Sequence, residues 1–177
     1  SGLELQGVVF DVDGVLFDTE HLAHQIWVEV SREMGWPQVG ADYLEFVGRN
    51  RTGIREKMTR MYGGEFPREE FLLTCSARAQ EKIEREGVPM KPGVREILDF
   101  LRARRIPAAL ATSTGRERTQ RRMELTGLGP YFTAIVTGDQ VERGKPDPEI
   151  YLRACRALGT EPAHTLAVED SRNGILS

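Results

Sequence analysis

Val9-Phe10-Asp11-Val12-Asp13-Gly14-Val15 is the stretch on which the reading of this chain turns. Leu5 to Phe10 is a short, mostly apolar, valine-rich run that stops at Asp11, the pattern of a buried strand. Two carboxylates follow it directly, two residues apart, on the loop at the strand's C-terminal end, where open α/β sheets bind ligands. In a continuing strand such a pair would share one face, and two like charges there would repel and gain nothing structurally. A solvated Asp-Gly turn is one reading. A cation and a phosphate would give both groups a purpose: one carboxylate attacks phosphorus while coordinating the metal, and the other protonates the leaving oxygen or deprotonates the incoming one.

Downstream, Leu22, Ile26, Val30 and Met34 recur at four-residue steps, an amphipathic helix closed by Gly35 and Pro37. Residues 41–46, 52–62 and 68–86 read as further helices, separated by Gly48 and by Gly63-Gly64 and closed by Gly87 and Pro89. No strand signal occurs from about residue 20 to 88. Beyond Pro92 helices are expected at 94–104, 117–125 and 148–158, alternating with strands at 106–111, 131–136 and 165–168. That alternation implies parallel β-α-β units. The chain therefore reads as an α/β core (1–19 and 89–177) with a helical domain (20–88) inserted after the first strand. Asn173-Gly174-Ile175-Leu176-Ser177 looks like the opening of a helix, and since a parallel sheet needs helices on both faces, a further helix and strand are expected beyond Ser177.

Three more polar clusters follow apolar strand candidates. Thr112-Ser113-Thr114-Gly115 precedes a helix, so its hydroxyls suit either a capping box with Glu117 or, with the free N–H groups there, a phosphate seat. Lys145 lies in Gly144-Lys145-Pro146-Asp147-Pro148; alone it reads as solvated, and beside two carboxylates and a phosphate it becomes a charge clamp. Glu169-Asp170 ends the last strand; acidic residues suit a helix N-terminus, and Asp11, Asp13 and Asp170 are also oxygen ligands of the kind magnesium prefers.

Composition narrows the function classes. Twenty-four basic against 27 acidic side chains give a formal net charge of -3, which supports neither a nucleic-acid groove nor an anionic-membrane surface. No run of 18 apolar residues occurs, no secretory signal is read at the N-terminus, and a cytoplasmic protein is expected. Cys75 and Cys155, both in helical runs, are expected as buried thiols rather than a disulfide.

Taken in order, Asp11-Val12-Asp13-Gly14-Val15, Thr112, Lys145 and Glu169-Asp170 resemble the four motifs of the haloacid dehalogenase superfamily, in the class with a helical cap inserted soon after the first strand. The resemblance implies a Rossmann-like parallel sheet with a four-helix cap and phosphoryl transfer through an aspartyl-phosphate on Asp11. It further implies Asp13 as general acid/base and Thr112 and Lys145 as holders of the phosphoryl group. Magnesium is implied on Asp11, Asp13 (through its carbonyl) and Asp170, with Glu169 near the metal's outer shell.

Because the phosphate is common to all substrates of such a centre, discrimination must come from groups that contact the rest of the molecule. The candidates are Arg49 and Arg51 in Gly48-Arg49-Asn50-Arg51-Thr52, Glu20 at the cap entry, and Ser113 and Arg116 beside Thr112. Arg49 and Arg51 read equally as surface charge, although Arg51 is similar in position to a sugar-phosphate-binding arginine of β-phosphoglucomutases. Those mutases carry a histidine where Ala23 stands and a Lys-Asn pair where Gly115-Arg116 stands, with His21 and His24 displaced from the histidine's position. The departures favour hydrolysis of a small phosphorylated metabolite, a sugar phosphate, over the mutase alternative. A non-catalytic binding module on the same fold fits less well with five candidate site residues all present. Expected partners are that metabolite and magnesium, with no nucleic acid, no membrane and a monomeric state.

Overall fold

The computed structural model describes residues 4–47, 49 and 51–177, and the chain forms two compact units, Ser1–Asp18 with Val88–Ser177 and Thr19–Gly87. In chain order the elements are β1 (Gly7–Phe10), α1 (Thr19–Glu33), α2 (Pro37–Ala41), α3 (Arg51–Tyr62) and α4 (Arg68–Glu86). There follow α5 (Val94–Ala103), β2 (Ala108–Thr112), α6 (Arg116–Thr126), β3 (Ala134–Thr137), α7 (Glu149–Leu158), β4 (Thr165–Val168) and α8 (Arg172–Leu176).

The first unit is a parallel sheet of order β3-β2-β1-β4. Val8 lies beside Ala108 and Leu166, and Phe10 beside Leu110 and Val168. Both faces of β1 are buried, which is why it reads as a continuous apolar run rather than an alternation. Val8, Phe10, Ala108 and Leu110 face Val94, Leu98 and Leu101 of α5 and Met123 of α6. On the opposite face Val9, Ala109, Ala111 and Val136 pack against Ile150, Tyr151 and Ala154 of α7. The chain winds from β1 out to β3 and then returns to the far side of β1 as β4. That reversal of strand order is where a doubly wound sheet opens a crevice at its C-terminal ends.

The second unit is built on α1 to α4. Its aromatic centre is Trp27, whose ring lies 5.1 Å from Phe71 and 5.2 Å from both Tyr43 and Phe46. Edge-on contacts of this kind suit the aromatic quadrupole. A fork-to-fork pair of Arg78 with Glu33, 2.8 Å at both contacts, ties α4 to α1.

Several boundaries differ from the sequence expectation, and prolines explain most of them. Pro37 does not merely end a helix; it occupies the first position of α2, where its missing N–H costs nothing. The helix expected at 41–46 is instead the end of α2 followed by a 3-10 turn at Tyr43–Glu45. The strand expected from Tyr131 begins at Ala134, because Pro130 starts a 3-10 turn at Gly129–Tyr131. Among the described residues no helix is long and apolar enough to cross a membrane. Both cysteines are buried and free.

Candidate active site

Asp11 is the first residue beyond β1, and its N–H donates to the Val168 carbonyl at 3.0 Å, so the last turn of pairing with β4 fixes its backbone. Asp11 is 8% exposed. The Lys145 ammonium donates to Asp11 Oδ1 at 3.1 Å, to the Ala111 carbonyl at 3.0 Å, and to Glu169 Oε1. One lysine thus joins the C-terminal ends of β1, β2 and β4. Side-chain exposures of 6% for Lys145, 12% for Asp11 and 4% for Glu169 put these charges outside the class of surface pairs that contribute little.

Ligand oxygens of Asp11, Glu169 and Asp170 all lie within 4.8 Å of one another. Three carboxylates against one ammonium leave this pocket with an excess of negative charge that a cation would neutralise, and all-oxygen donors suit a hard divalent ion. The local backbone makes room for the cluster. Gly14 has φ +81°, and a Cβ there would lie 1.7 Å from Asp170 Oδ2. Gly174 in α8 stands equally close to Glu169, with 2.0 Å between an added Cβ and its carboxyl carbon. Ser171 caps α8 by accepting from the Gly174 N–H at 3.0 Å.

Burial pushes the Asp11 carboxyl up to about 7 against the opposing pull of Lys145, and the neighbouring Glu169 charge pushes in the same direction as burial. Glu169 also feels burial, yet hydrogen bonds from Lys145 and from the Tyr151 hydroxyl bring it below the ordinary carboxylate range. Burial, together with this contact with Glu169, drives the Tyr151 phenol far upward, so it stays a donor. The Lys145 ammonium also lies 5.0 Å from the Tyr151 ring centroid.

Asp13 has a different environment. Its Oδ1 accepts from Arg122 Nη1 at 2.5 Å and its Oδ2 from the Thr114 hydroxyl at 2.8 Å. Its carboxylate is not a member of the Asp11–Glu169–Asp170 cluster. Thr112, at the end of β2, is fully buried and accepts from the Thr114 N–H at 3.1 Å. The capping box considered for Ser113 or Thr114 with Glu117 does not form: Gly115 is the N-cap of α6, without a side-chain cap bond, and the Thr114 hydroxyl is committed to Asp13.

The structure therefore gathers Asp11, Lys145, Glu169 and Asp170 at one place, beside Ala111-Thr112. Ser113 is exposed, and Arg116 is exposed and lines a cleft of about 560 Å³ along α6 and the β3 edge, with Met123, Ile135 and Gln140. In the helical unit Glu20 and Arg51 are exposed in the first turns of α1 and α3, and Arg49 donates through Nε to the Glu45 carbonyl at 3.1 Å. Gly48 and Asn50 of the basic segment lie outside the described residues. His24 stacks on Tyr43 at 4.6 Å. Sequence reasoning missed Tyr151 and Arg122 as members of the site, and it read the Thr114 hydroxyl as a helix cap or phosphate seat rather than as a partner of Asp13. Tyr151 reads as one more apolar residue of α7, and Arg122 sits in the run Arg116-Glu117-Arg118-Thr119-Gln120-Arg121-Arg122, which reads as a solvated face.

Comparison with known proteins agrees with this geometry. A family model described as haloacid dehalogenase-like hydrolase matches residues 5–177. A phosphorylated carbohydrates phosphatase of Thermotoga maritima is 37% identical over 177 residues, spanning 97% of this chain and 79% of that protein. A validoxylamine A 7'-phosphate phosphatase of Streptomyces hygroscopicus is 30% identical, spanning 96% of this chain and 78% of that protein. The crystal structure of a HAD family hydrolase from Deinococcus radiodurans, with bound phosphate and sodium, superposes with a TM-score of 0.81 at 28% identity, covering 99% of this chain and 76% of that one. With three of the motif positions at or directly after the ends of β1, β2 and β4, and Lys145 reaching them from the segment before α7, the chain belongs to the haloacid dehalogenase-like hydrolases.

Proposed function

We propose that this protein is a magnesium-dependent phosphatase of small phosphorylated metabolites, in particular sugar phosphates, that works through an aspartyl-phosphate on Asp11. The observation that carries the reading is the meeting of Asp11, Lys145, Glu169 and Asp170 in one cation-seeking cluster that runs from the buried Asp11 out to the exposed Asp170. Asp11 and Asp170 would hold the ion together with the Asp13 carbonyl, and Glu169, engaged by Lys145 and Tyr151, would stand behind them. When bound, magnesium withdraws charge from the phosphoryl oxygens and favours the ionised form of Asp11.

The protein's own groups account for the remaining chemistry. An Asp11 carboxylate oxygen attacks phosphorus as the bond to the leaving oxygen breaks, and Asp13 supplies that oxygen with a proton. Asp13, now ionised, takes a proton from water, which attacks phosphorus and releases inorganic phosphate with Asp11 restored. Lys145 and the Thr112 hydroxyl hold the transferring group; Lys145 already pairs with Asp11, so it also offsets the charge that burial penalises. Ser113 and Arg116 beside this seat, and Arg49, Arg51 and Glu20 in the helical unit, are proposed to read the rest of the substrate.

The names of the relatives support hydrolysis of a carbohydrate or polyol phosphate. Incubation with a panel of sugar phosphates, assaying free phosphate and isomerised sugar together, tests the reading. Phosphate release dominating is expected, and isomerisation outpacing it would make the protein a mutase. Chelation with EDTA should abolish release and added magnesium should restore it; undiminished activity in EDTA would remove the metal from the scheme.

A further inference from the structure

Arg122 lies near the middle of α6 with only 13% of its side chain exposed, while the Asp13 carboxylate it meets is 40% exposed. An arginine does not bury its head without a partner, and here the partner is Asp13, at 2.5 Å from Nη1 to Oδ1. The rest of the guanidinium is poorly served: its Nε is buried with no hydrogen-bond partner. A group placed for its own solvation or for pinning α6 would be expected to use that donor. The other carboxylate oxygen of Asp13 is taken by the Thr114 hydroxyl at 2.8 Å, from the loop that runs between β2 and α6. The two holders approach from one connection, one on its loop and one on its helix. Between Asp11 and Asp13 stands Val12, fully buried, so the backbone at this point is fixed and the reach of the Asp13 carboxylate depends on its rotamer. Arg122 on one oxygen and Thr114 on the other hold that rotamer.

We propose that Arg122 is a positioning residue: acting through Asp13 and together with Thr114, it fixes the orientation of the carboxyl group that exchanges a proton with the leaving oxygen. The inference rests on Asp13 as that proton donor. It assigns to α6 a catalytic consequence that its arginine-rich sequence conceals, and it makes leaving-group preference depend on a residue that reaches the reaction only through the Asp13 side chain.

The test is a leaving-group comparison of the first step, read as the rate of alcohol or phenol release in a single turnover, because the later attack of water uses Asp13 whichever group has left. An alkyl phosphate such as glycerol phosphate needs its departing oxygen protonated, whereas p-nitrophenyl phosphate releases a stable phenolate and needs little help. Asp13→Asn, Arg122→Met, Arg122→Lys and Thr114→Val are measured on both. The expected result for Arg122→Met is a first-turnover rate of alcohol release from the alkyl phosphate lower by about 10- to 100-fold, the range for a misplaced proton donor. Its KM should stay nearly constant and its loss on p-nitrophenyl phosphate be much smaller. Arg122→Lys should recover part of the loss, and Thr114→Val should show the same selectivity more weakly. Equal losses on both substrates in Arg122→Met, or no loss, while Asp13→Asn remains selective, would overturn the role of Arg122 and leave the donor assignment standing. If Asp13→Asn itself shows no selectivity, the donor assignment fails first, and the two failures are told apart. Should Arg122→Met not fold, Arg122→Lys and Arg122→Gln carry the same comparison.

Discussion

Lys145 serves two carboxylates at once, and the Tyr151 hydroxyl donates to the same Glu169 oxygen, Oε1, that Lys145 engages. Tyr151→Phe keeps the ring against the sheet and removes one hydrogen bond to Glu169. A net hydrogen bond contributes about 1 kcal/mol to stability, so the melting temperature should fall by about 2–4 °C, and kcat/KM should fall as Glu169 loses a partner. Steady-state assays beside a thermal melt check this, and an unchanged kcat/KM would deny Tyr151 a part in orienting Glu169. Cys75 offers a test of burial in the helical unit. Burial pushes its thiol up to about 12 from an ordinary value near 9, against a small opposing effect of Arg78. The folded protein therefore keeps a proton that the unfolded chain loses, and this group makes stability fall as pH rises from 9 towards 12. At pH 8 alkylation of Cys75 by iodoacetamide should be slow until denaturant is added; rapid labelling of the native protein, mapped to Cys75 by peptide mass, would contradict it.

The turn after β1 shows how a short element sets a site. Gly14 N–H donates to the Phe17 carbonyl at 2.9 Å and Leu16 N–H to the Val12 carbonyl at 2.9 Å, folding the chain back so that Gly14 passes against Asp170. Gly14→Ala would combine a left-handed backbone with a Cβ inside the Asp170 carboxylate. The expected outcome is a magnesium requirement raised by tenfold or more, about 1.4 kcal/mol of lost binding, read as the magnesium concentration giving half-maximal activity. An unchanged requirement would separate Asp170 from the metal. At this scale much was legible beforehand. The strand–carboxylate junctions at Asp11 and at Glu169-Asp170 were legible as candidates, although each also read as an ordinary turn or helix start, and it was their recurrence at several strand ends that gave them a shared purpose. Thr112 and Lys145 were legible as chemistry only beside them. Arg122 and Tyr151 were not legible, because a helix periodicity reports which face is apolar and says nothing of which distant loop that face meets. The expected 41–46 helix failed for a local reason: Pro37 nucleates α2 earlier, and Asp42 N–H closes it by bonding the Gln38 carbonyl at 2.9 Å.

The whole molecule consists of two units with separate cores, one centred on the sheet and one on Trp27. Leu98, 1% exposed, packs in the sheet core, so Leu98→Ala should cost about 2–5 kcal/mol in urea unfolding followed by a probe of the α/β unit. A loss below about 1 kcal/mol would mean that α5 contributes little to that core. The parallel sense of the strands follows from their alternation with helices, yet the pairing of β4 beside β1 is not written in any local residue. That placement brings Glu169-Asp170 to Asp11 and makes four separated motifs into one pocket. Everything proposed here about the reaction therefore depends on Asp11 being the group that receives phosphorus. The most direct measurement is magnesium-dependent phosphate release by Asp11→Asn, with folding checked by its melt. A folded variant without detectable turnover is the predicted result; a folded Asp11→Asn that still releases phosphate in a magnesium-dependent way would contradict it.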